Sequence, residues 1–408
     1  MAVSALFFFA ALTIRQDSTS VRAGCEPGQA VVTSLPAGTP VEMRFRLADG
    51  SDCVKVAANV DGKPVQGYVP ASALNGLDQF EQERSASASV EPMRGLMPAV
   101  ARSRKAAALT GDPALDKGAQ LLASNQPARA LELLEPAAHR YKNNPSVLLL
   151  TGLAAYRADQ LGMALEYWKQ SLDLAPNEDL ARMYERAKRE AGSDQGGPRL
   201  YGMHVGVRYE GEALPPDAAR AVLATLDQEY TRISAELGCS SSERVMAVVQ
   251  SRDNYLKSTG AAEWSGGEYD GRIHIVWADG KQPGPQTRRA LAHEMVHACL
   301  AEIPSGGPYW PAWFQEGLAQ KLSGDTLSPA ARDRLRRLAQ AHQIPTLENL
   351  RQDWSRLSVD NARLAYDIAL AAADSLYENY AAYGIRNILN NPSALDQITS
   401  DLDKKLGL

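Results

Sequence analysis

The chain has 408 residues, 45% of them hydrophobic and 22% charged, with a formal net charge of -5. That length suits about two to four domains, and that composition builds ordinary hydrophobic cores. The acidic balance excludes a nucleic-acid binder, which needs a basic field to neutralise phosphates.

The run "AVSALFFFAALTI" near the N-terminus has the length of a signal-peptide core and is too short to span a bilayer. We read 1–23 as a signal-like segment, which predicts an extracytoplasmic protein, periplasmic or secreted. The alternative is a buried first helix in a cytoplasmic protein, because no lysine or arginine precedes the run. "VRAGC" at 21–25 hints at lipidation, but Cys25 sits well beyond the run and Arg22 interrupts it, so no membrane anchor is expected. In an exported chain Cys25 with Cys53, and Cys239 with Cys299, could each form a disulfide; two buried thiols at Cys239 and Cys299 are the alternative.

Residues 24–76 alternate β-branched and polar residues in "QAVVTSL", "PVEMRFRL", "CVKVAANV" and "QGYVPASAL", with turn residues in "PAGT", "ADGSD" and "DGKP" between them. The pattern predicts a small all-β barrel, and the closing "GYVPASAL" resembles the bacterial SH3-like family. Small and charged residues over 77–112 read as a linker. Over 113–192, "KGAQLLASNQPARALELLEPAAHRY" and "TGLAAYRADQLGMALEYWKQSLDLAP" align with Gly118 on Gly152 and Ala130 on Ala164. Helical hairpins repeating about every 34 residues resemble tetratricopeptide repeats, and "LARMYERAKREA" reads as their cap. Such repeats serve either as a surface for a protein partner or as a spacer.

"GSDQGGP" then breaks the chain, and 198–392 reads as mixed α and β. "YGMHVGVRYEG", "RVMAVVQS" and "GRIHIVWADG" are predicted strands, and "PPDAARAVLATLDQEYTRISAELG" is a helix bounded by proline and glycine. The helices "QTRRALAHEMVHACLAEI" and "WFQEGLAQKLSG" follow, then a helical stretch to 390. Residues 393–408 read as a C-terminal tail.

On the first of those two helices, His293 and His297 are four residues apart and share a face, while Glu294 is rotated off it. This is the H-E-x-x-H arrangement, able to present two imidazoles to one ion and a carboxylate to a water beside it. Leu291, Ala292, Met295, Val296 and Ala298 make the helix apolar nearly all round, so it is buried. Two unpartnered histidines and a glutamate there would be unfavourable, and a divalent cation relieves all three. Cys299 points off the metal face. A third ligand is needed: His139, His204, His274 and His342 lack ligand spacing. Glu316, on the second apolar helix beside Gly317 and Ala319, is the better candidate, and those small residues would let the two helices approach.

"LAHEMVHACL" followed by "PAWFQEGLAQ" resembles the gluzincin metallopeptidases, and more narrowly the bacterial peptidase MA-like family. The resemblance implies a multidomain chain ending in an α+β zincin-type domain, with one Zn2+ on His293, His297 and Glu316 and Glu294 as general base for peptide hydrolysis. It implies that "GRIHIVW" is the edge strand that pairs with extended substrate. Tyr366 matches a tyrosine that stabilises the oxyanion, with Tyr377, Tyr380, Tyr383, His204 and His274 as rivals. Many relatives carry an aspartate where this chain has Gln320, whose carbonyl can orient a ligand imidazole but adds no charge. A second reading is a non-catalytic zinc-binding adaptor, and a third is a hydrolase of a non-peptide amide such as a cell-wall bond.

Overall fold

The computed structural model describes residues 12–24, 28–46, 53–60, 63–77, 93–108, 110–193, 196–211, 213–240, 242–259, 266–277, 282–303, 310–351, 354 and 359–406. Their buried hydrophobic side chains fall into three cores in a multidomain mixture of helices and sheets.

The first core lies in a seven-stranded sheet. Its strands are β1 (Leu12–Ile14), β2 (Thr19–Arg22), β3 (Val31–Leu35), β4 (Pro40–Arg46), β5 (Val54–Val60), β6 (Lys63–Val69) and β7 (Leu74–Asn75), in the order β3-β2-β6-β5-β4-β1-β7. β1 pairs antiparallel with both β4 and β7. Alternation about Thr13 puts Leu12 and Ile14 on the inner face, and Val21 of β2 is buried beside them. This corrects the 1–23 boundary: residues 12–23 supply two strands to the sheet, and the lipidation-like "VRAGC" begins inside β2. The rest of the apolar run, 1–11, lies outside the described residues. Cys53 is disulfide-bonded, while Cys25 lies outside the described residues.

The second core is helical: α1 (Met93–Ala108), α2 (Pro113–Ala123), α3 (Pro127–Arg140), α4 (Pro145–Arg157), α5 (Leu161–Leu174) and α6 (Glu178–Ser193). Equivalent contacts recur in its two hairpins. A Cβ on Gly118 would strike Leu134, and one on Gly152 would strike the indole of Trp168, so hydrogen at these positions lets the paired helices cross closely. Asn125 and Asp159 hold matching left-handed turns. α1 overturns the linker assignment for 93–108. Leu96, Ala99, Val100, Ser103 and Ala107 form a buried stripe that packs across α2, α4 and α6. Small residues at three of those five positions hid the stripe in the sequence. The inner helices therefore have one face covered by the chain's own segment.

The third core surrounds a five-stranded sheet. β8 (Arg199–Tyr201) and β9 (Val205–Tyr209) form a hairpin where one strand was expected, because the Asp227 carboxylate gathers the amides of Met203, His204 and Val205 into a turn. α7 (Pro216–Leu237) runs from a proline to Gly238, whose φ of 81° ends the helix in a left-handed cap. β10 (Val245–Ser251), α8 (Arg252–Thr259), β11 (Gly267–Tyr269) and β12 (Ile273–Trp277) follow, and the sheet order is β11-β12-β10-β9-β8. The edge strand on the β12 side is therefore β11, not "GRIHIVW": β12 lies between β10, to which it is parallel, and β11, to which it is antiparallel. A strand covered on both faces reads as a continuous apolar run, which is why β12 stood out in the sequence.

Helices cover one face of this sheet: α7 and α9 (Pro285–Glu302) pack there on Val205, Val207, Val245, Ala247, Val249, Ile273 and Ile275. α10 (Ala312–Ser323), α11 (Pro329–Gln340) and α12 (Val359–Asn390) follow; a 3₁₀ turn stands at Leu347–Leu350, and α12 kinks at Ala381. α13 (Ser393–Lys405) corrects the tail assignment, since Leu395 and Leu402 are buried in the same core. Among the described residues no helix is long and apolar enough to cross a membrane.

Two features fasten α9. Cys299 is bridged to Cys239, beyond the end of α7, which settles that pair against free thiols. Closing a loop of sequence separation 60 stabilises the fold by about 4 kcal/mol in the chain-entropy picture. Glu302 is buried and accepts a hydrogen bond from the Tyr230 hydroxyl at 3.0 Å. Burial pushes its pKa from 4.5 up to about 7, against that hydrogen bond. A raised folded-state value means the native state is fully favoured below pH 4.5 and loses about 3 kcal/mol as pH climbs through 7. Glu302→Gln is expected to remove that loss: denaturant midpoints at pH 5 and pH 8 should converge in the variant and stay apart in the wild type.

Candidate metal centre

His293, Glu294 and His297 lie in the middle of α9, on a stretch buried from Leu291 to Leu300. α10 packs against α9 and brings Glu316 to it. The small residue beside Glu316 serves a different neighbour from the one expected. A Cβ on Gly317 would lie 2.3 Å from the carbonyl oxygen of Ala369, so Gly317 seats α10 on α12 rather than on the histidine helix. That contact still fixes the depth of Glu316.

His293, His297 and Glu316 offer one ligand atom each within 4.8 Å of one another, and all three are buried. His293 Nε2 is 3.4 Å from Glu316 Oε2, and His297 Nε2 is 3.7 Å from the same oxygen. A charge-assisted N–H···O contact would be about 2.7–2.9 Å. Tetrahedral coordination at about 2.0–2.1 Å instead leaves ligand atoms about 3.3 Å apart. The spacing therefore suits ligands around an ion better than a direct ion pair. Burial raises the Glu316 pKa, but the adjoining imidazoles outweigh it and hold the carboxyl well below the usual range. The donor set of two nitrogens and an ionised oxygen, buried together, fits a divalent metal ion.

Glu294 is 0% exposed. It faces the edge strand: a Cβ on Gly267 of β11 would lie 3.2 Å from Glu294 Cγ. Only a glycine lets β11 pass this close. The strand that adjoins the carboxylate is thus the three-residue β11, which carried no periodic signal.

The oxyanion candidates separate by position. Tyr366 is buried on α12, its ring edge-on to Trp354 at 4.9 Å. Tyr377 faces Lys321 and is influenced by Glu236 and Arg232, with its pKa raised by burial. Tyr380 and Tyr383 are 40% and 70% exposed. His204 stacks on Tyr230 in the β8–β9 turn, towards the opposite edge of the sheet from β11. His274 is 0% exposed and sits 3.2 Å from Asp270. His139 ends α3 and His342 follows α11.

Gln320 is buried, yet its carbonyl oxygen accepts no hydrogen bond, so it does not hold a ligand imidazole through that atom. Asp325, which the sequence reading missed, stands closer to the task. Gly324, in the left-handed region, turns the chain back so that the Asp325 amide donates to the Gln320 carbonyl. Burial raises the Asp325 pKa while His293 and Arg289 oppose the rise, which places its carboxylate within electrostatic reach of His293. The available signal was an acid just past a helix-ending glycine.

Glu268, Asp270 and His274 form a second cluster with ligand-like spacing. Charge argues against an ion there. Arg186 already pairs with both Glu268 and Asp270, and Arg208 and Arg272 are buried close by. A dication would meet three guanidinium groups.

No family model matches the chain, and neither a curated protein nor a solved structure matches it.

Proposed function

We propose that the chain is a zinc-dependent peptidase of the gluzincin kind, with His293, His297 and Glu316 as metal ligands and Glu294 as general base. On this reading 198–392 is a zincin-type, peptidase MA-like domain, 113–192 are tetratricopeptide hairpins, and the barrel is SH3-like and extends back to residue 12. The observation that carries it is the 3.4 Å and 3.7 Å spacing of the two imidazole nitrogens from one carboxylate oxygen, with Glu294 adjacent and a sheet edge beside it.

Zinc bound there would supply Lewis acidity for a substrate carbonyl and make water nucleophilic near neutral pH. Glu294 takes the attacking water's proton and delivers one to the leaving amine. Its burial keeps the carboxylate out of bulk water, where proton transfer would be less directed. The outer edge of β11 can hydrogen-bond an extended peptide main chain. Tyr366 remains our candidate donor to the oxyanion. Asp325 is the acid we assign to support His293 in place of Gln320. The Cys239–Cys299 disulfide supports an oxidising, extracytoplasmic location.

The adaptor reading draws on one observation, the unengaged Gln320 carbonyl. Cleavage of an unstructured protein separates the two. The peptidase reading expects hydrolysis that a chelator stops and added zinc restores; the adaptor reading expects zinc in the protein and no hydrolysis with or without it.

A further inference from the structure

The second face of the five-stranded sheet is where the molecule departs most from a simple two-layer arrangement. Alternation sends Ile273, Ile275 and Trp277 into the core under α9, and His274 to the other side, as it does Arg208 on β9 and Glu268 on β11. Such polar residues on a strand ordinarily face water. Here all three are buried, because α6, α8 and the end of α4 lie over them.

The contacts across this junction are ionic and specific. The Tyr156 hydroxyl of α4 donates to Asp270 at 2.5 Å. Arg186 of α6 pairs with Glu268 on β11 and with Asp270 at 3.1 Å in the turn after it. The same guanidinium donates to the Thr259 carbonyl at 3.1 Å, at the end of α8, and Arg189 donates to the Lys257 carbonyl at 2.8 Å. Arg186 therefore grips the chain both before and after β11. Glu243, on the loop before β10, caps the start of α3 by accepting from the amides of Ala128 and Arg129 at 2.7 and 2.8 Å.

β11 needs such support. It has three residues, one neighbouring strand, and a glycine at the point where it passes Glu294. A strand that short, paired on one side, has little stability of its own. Its inward side chain, Tyr269, anchors one face; Glu268 is its anchor on the other, and that anchor belongs to the helical hairpins.

We propose that the helical hairpins are a working part of the peptidase site: Arg186, with Tyr156 behind it, is a positioning residue that holds β11 in register beside Glu294 so that an extended peptide can be aligned along it. This rests on the peptidase reading above and adds a role for the hairpins other than recruiting a partner or spacing the domains.

The test uses the full chain carrying Arg186→Met, with Tyr156→Phe as the milder variant should the first fail to fold. Three quantities are read: zinc per chain, hydrogen exchange at individual backbone amides, and kinetics on two substrates. One substrate is an unstructured peptide long enough to lie along β11; the other is a blocked dipeptide amide too short to do so. We expect zinc content to stay at the wild-type value and the amides of Gly267–Tyr269 to exchange about tenfold faster while those of α9 keep their protection. We expect KM for the long peptide to rise about tenfold, with kcat/KM for the short substrate within about twofold of wild type. Unchanged exchange in β11 overturns the proposal, and so does an equal loss on both substrates. If the wild type cleaves neither substrate, the peptidase reading fails separately, and the exchange rates of β11 alone decide whether the hairpins hold the strand.

Discussion

Glu294→Gln is expected to leave one zinc ion on the chain while peptide hydrolysis falls by about two to four orders of magnitude, the usual contribution of a positioned general base. The substitution is nearly isosteric, and Glu294 is not among the three converging ligand atoms. Its carboxylate instead lies where α9 passes β11, and the 3.2 Å clearance at Gly267 leaves no room for a larger neighbour. Metal analysis and turnover on the same preparation check the expectation. Zinc lost together with activity would show that residue 294 acts as a ligand and that the base is elsewhere.

The largest expected effect on stability is at Arg272. Its guanidinium is 0% exposed, pairs with Asp159 at 2.8 Å and Glu190 at 2.7 Å, and lies 3.9 Å over the ring of Tyr156. Arg272→Met is expected to lower unfolding free energy by about 3–5 kcal/mol, because it leaves two buried carboxylates short of a partner. Burial raises the pKa of Glu190, but Arg272, His274 and Arg208 outweigh it and hold the value below 4.5. A lowered folded-state value means that this stabilisation is present above pH 4.5 and is lost as pH falls. Denaturant unfolding should therefore show a wild type that weakens on acidification and a variant whose deficit narrows as pH drops. A deficit that does not depend on pH would mean that lost packing, not charge, explains the change.

The metal helix was legible because its signal is local. Two histidines four apart on an otherwise apolar helix have few structural uses, and each position could be read from its neighbours. The hairpin repeat was legible for a related reason: Gly118 and Gly152 mark the same close crossing against Leu134 and Trp168. The edge strand was misplaced because β11 is Gly-Glu-Tyr, too short for a period of two, whereas β12 is a bold apolar run whose burial comes from neighbours on both sides. α1 was read as linker because a stripe of Leu96, Ala99, Val100, Ser103 and Ala107 resembles spacer composition until α2, α4 and α6 are placed against it. The buried ionic junction could not be read from the sequence at all. It joins Tyr156, Asp159, Arg186 and Glu190 to Arg208, Glu268, Asp270, Arg272 and His274, and each of those residues alone looks like an ordinary surface group.

The account depends on one ion between α9 and α10. The most direct test is anomalous scattering at the zinc absorption edge from crystals of the zinc-loaded wild type. The prediction is a single peak at bonding distance from His293 Nε2, His297 Nε2 and a Glu316 carboxylate oxygen. A peak at Glu268, Asp270 and His274 instead, or none at the α9–α10 contact, would contradict it.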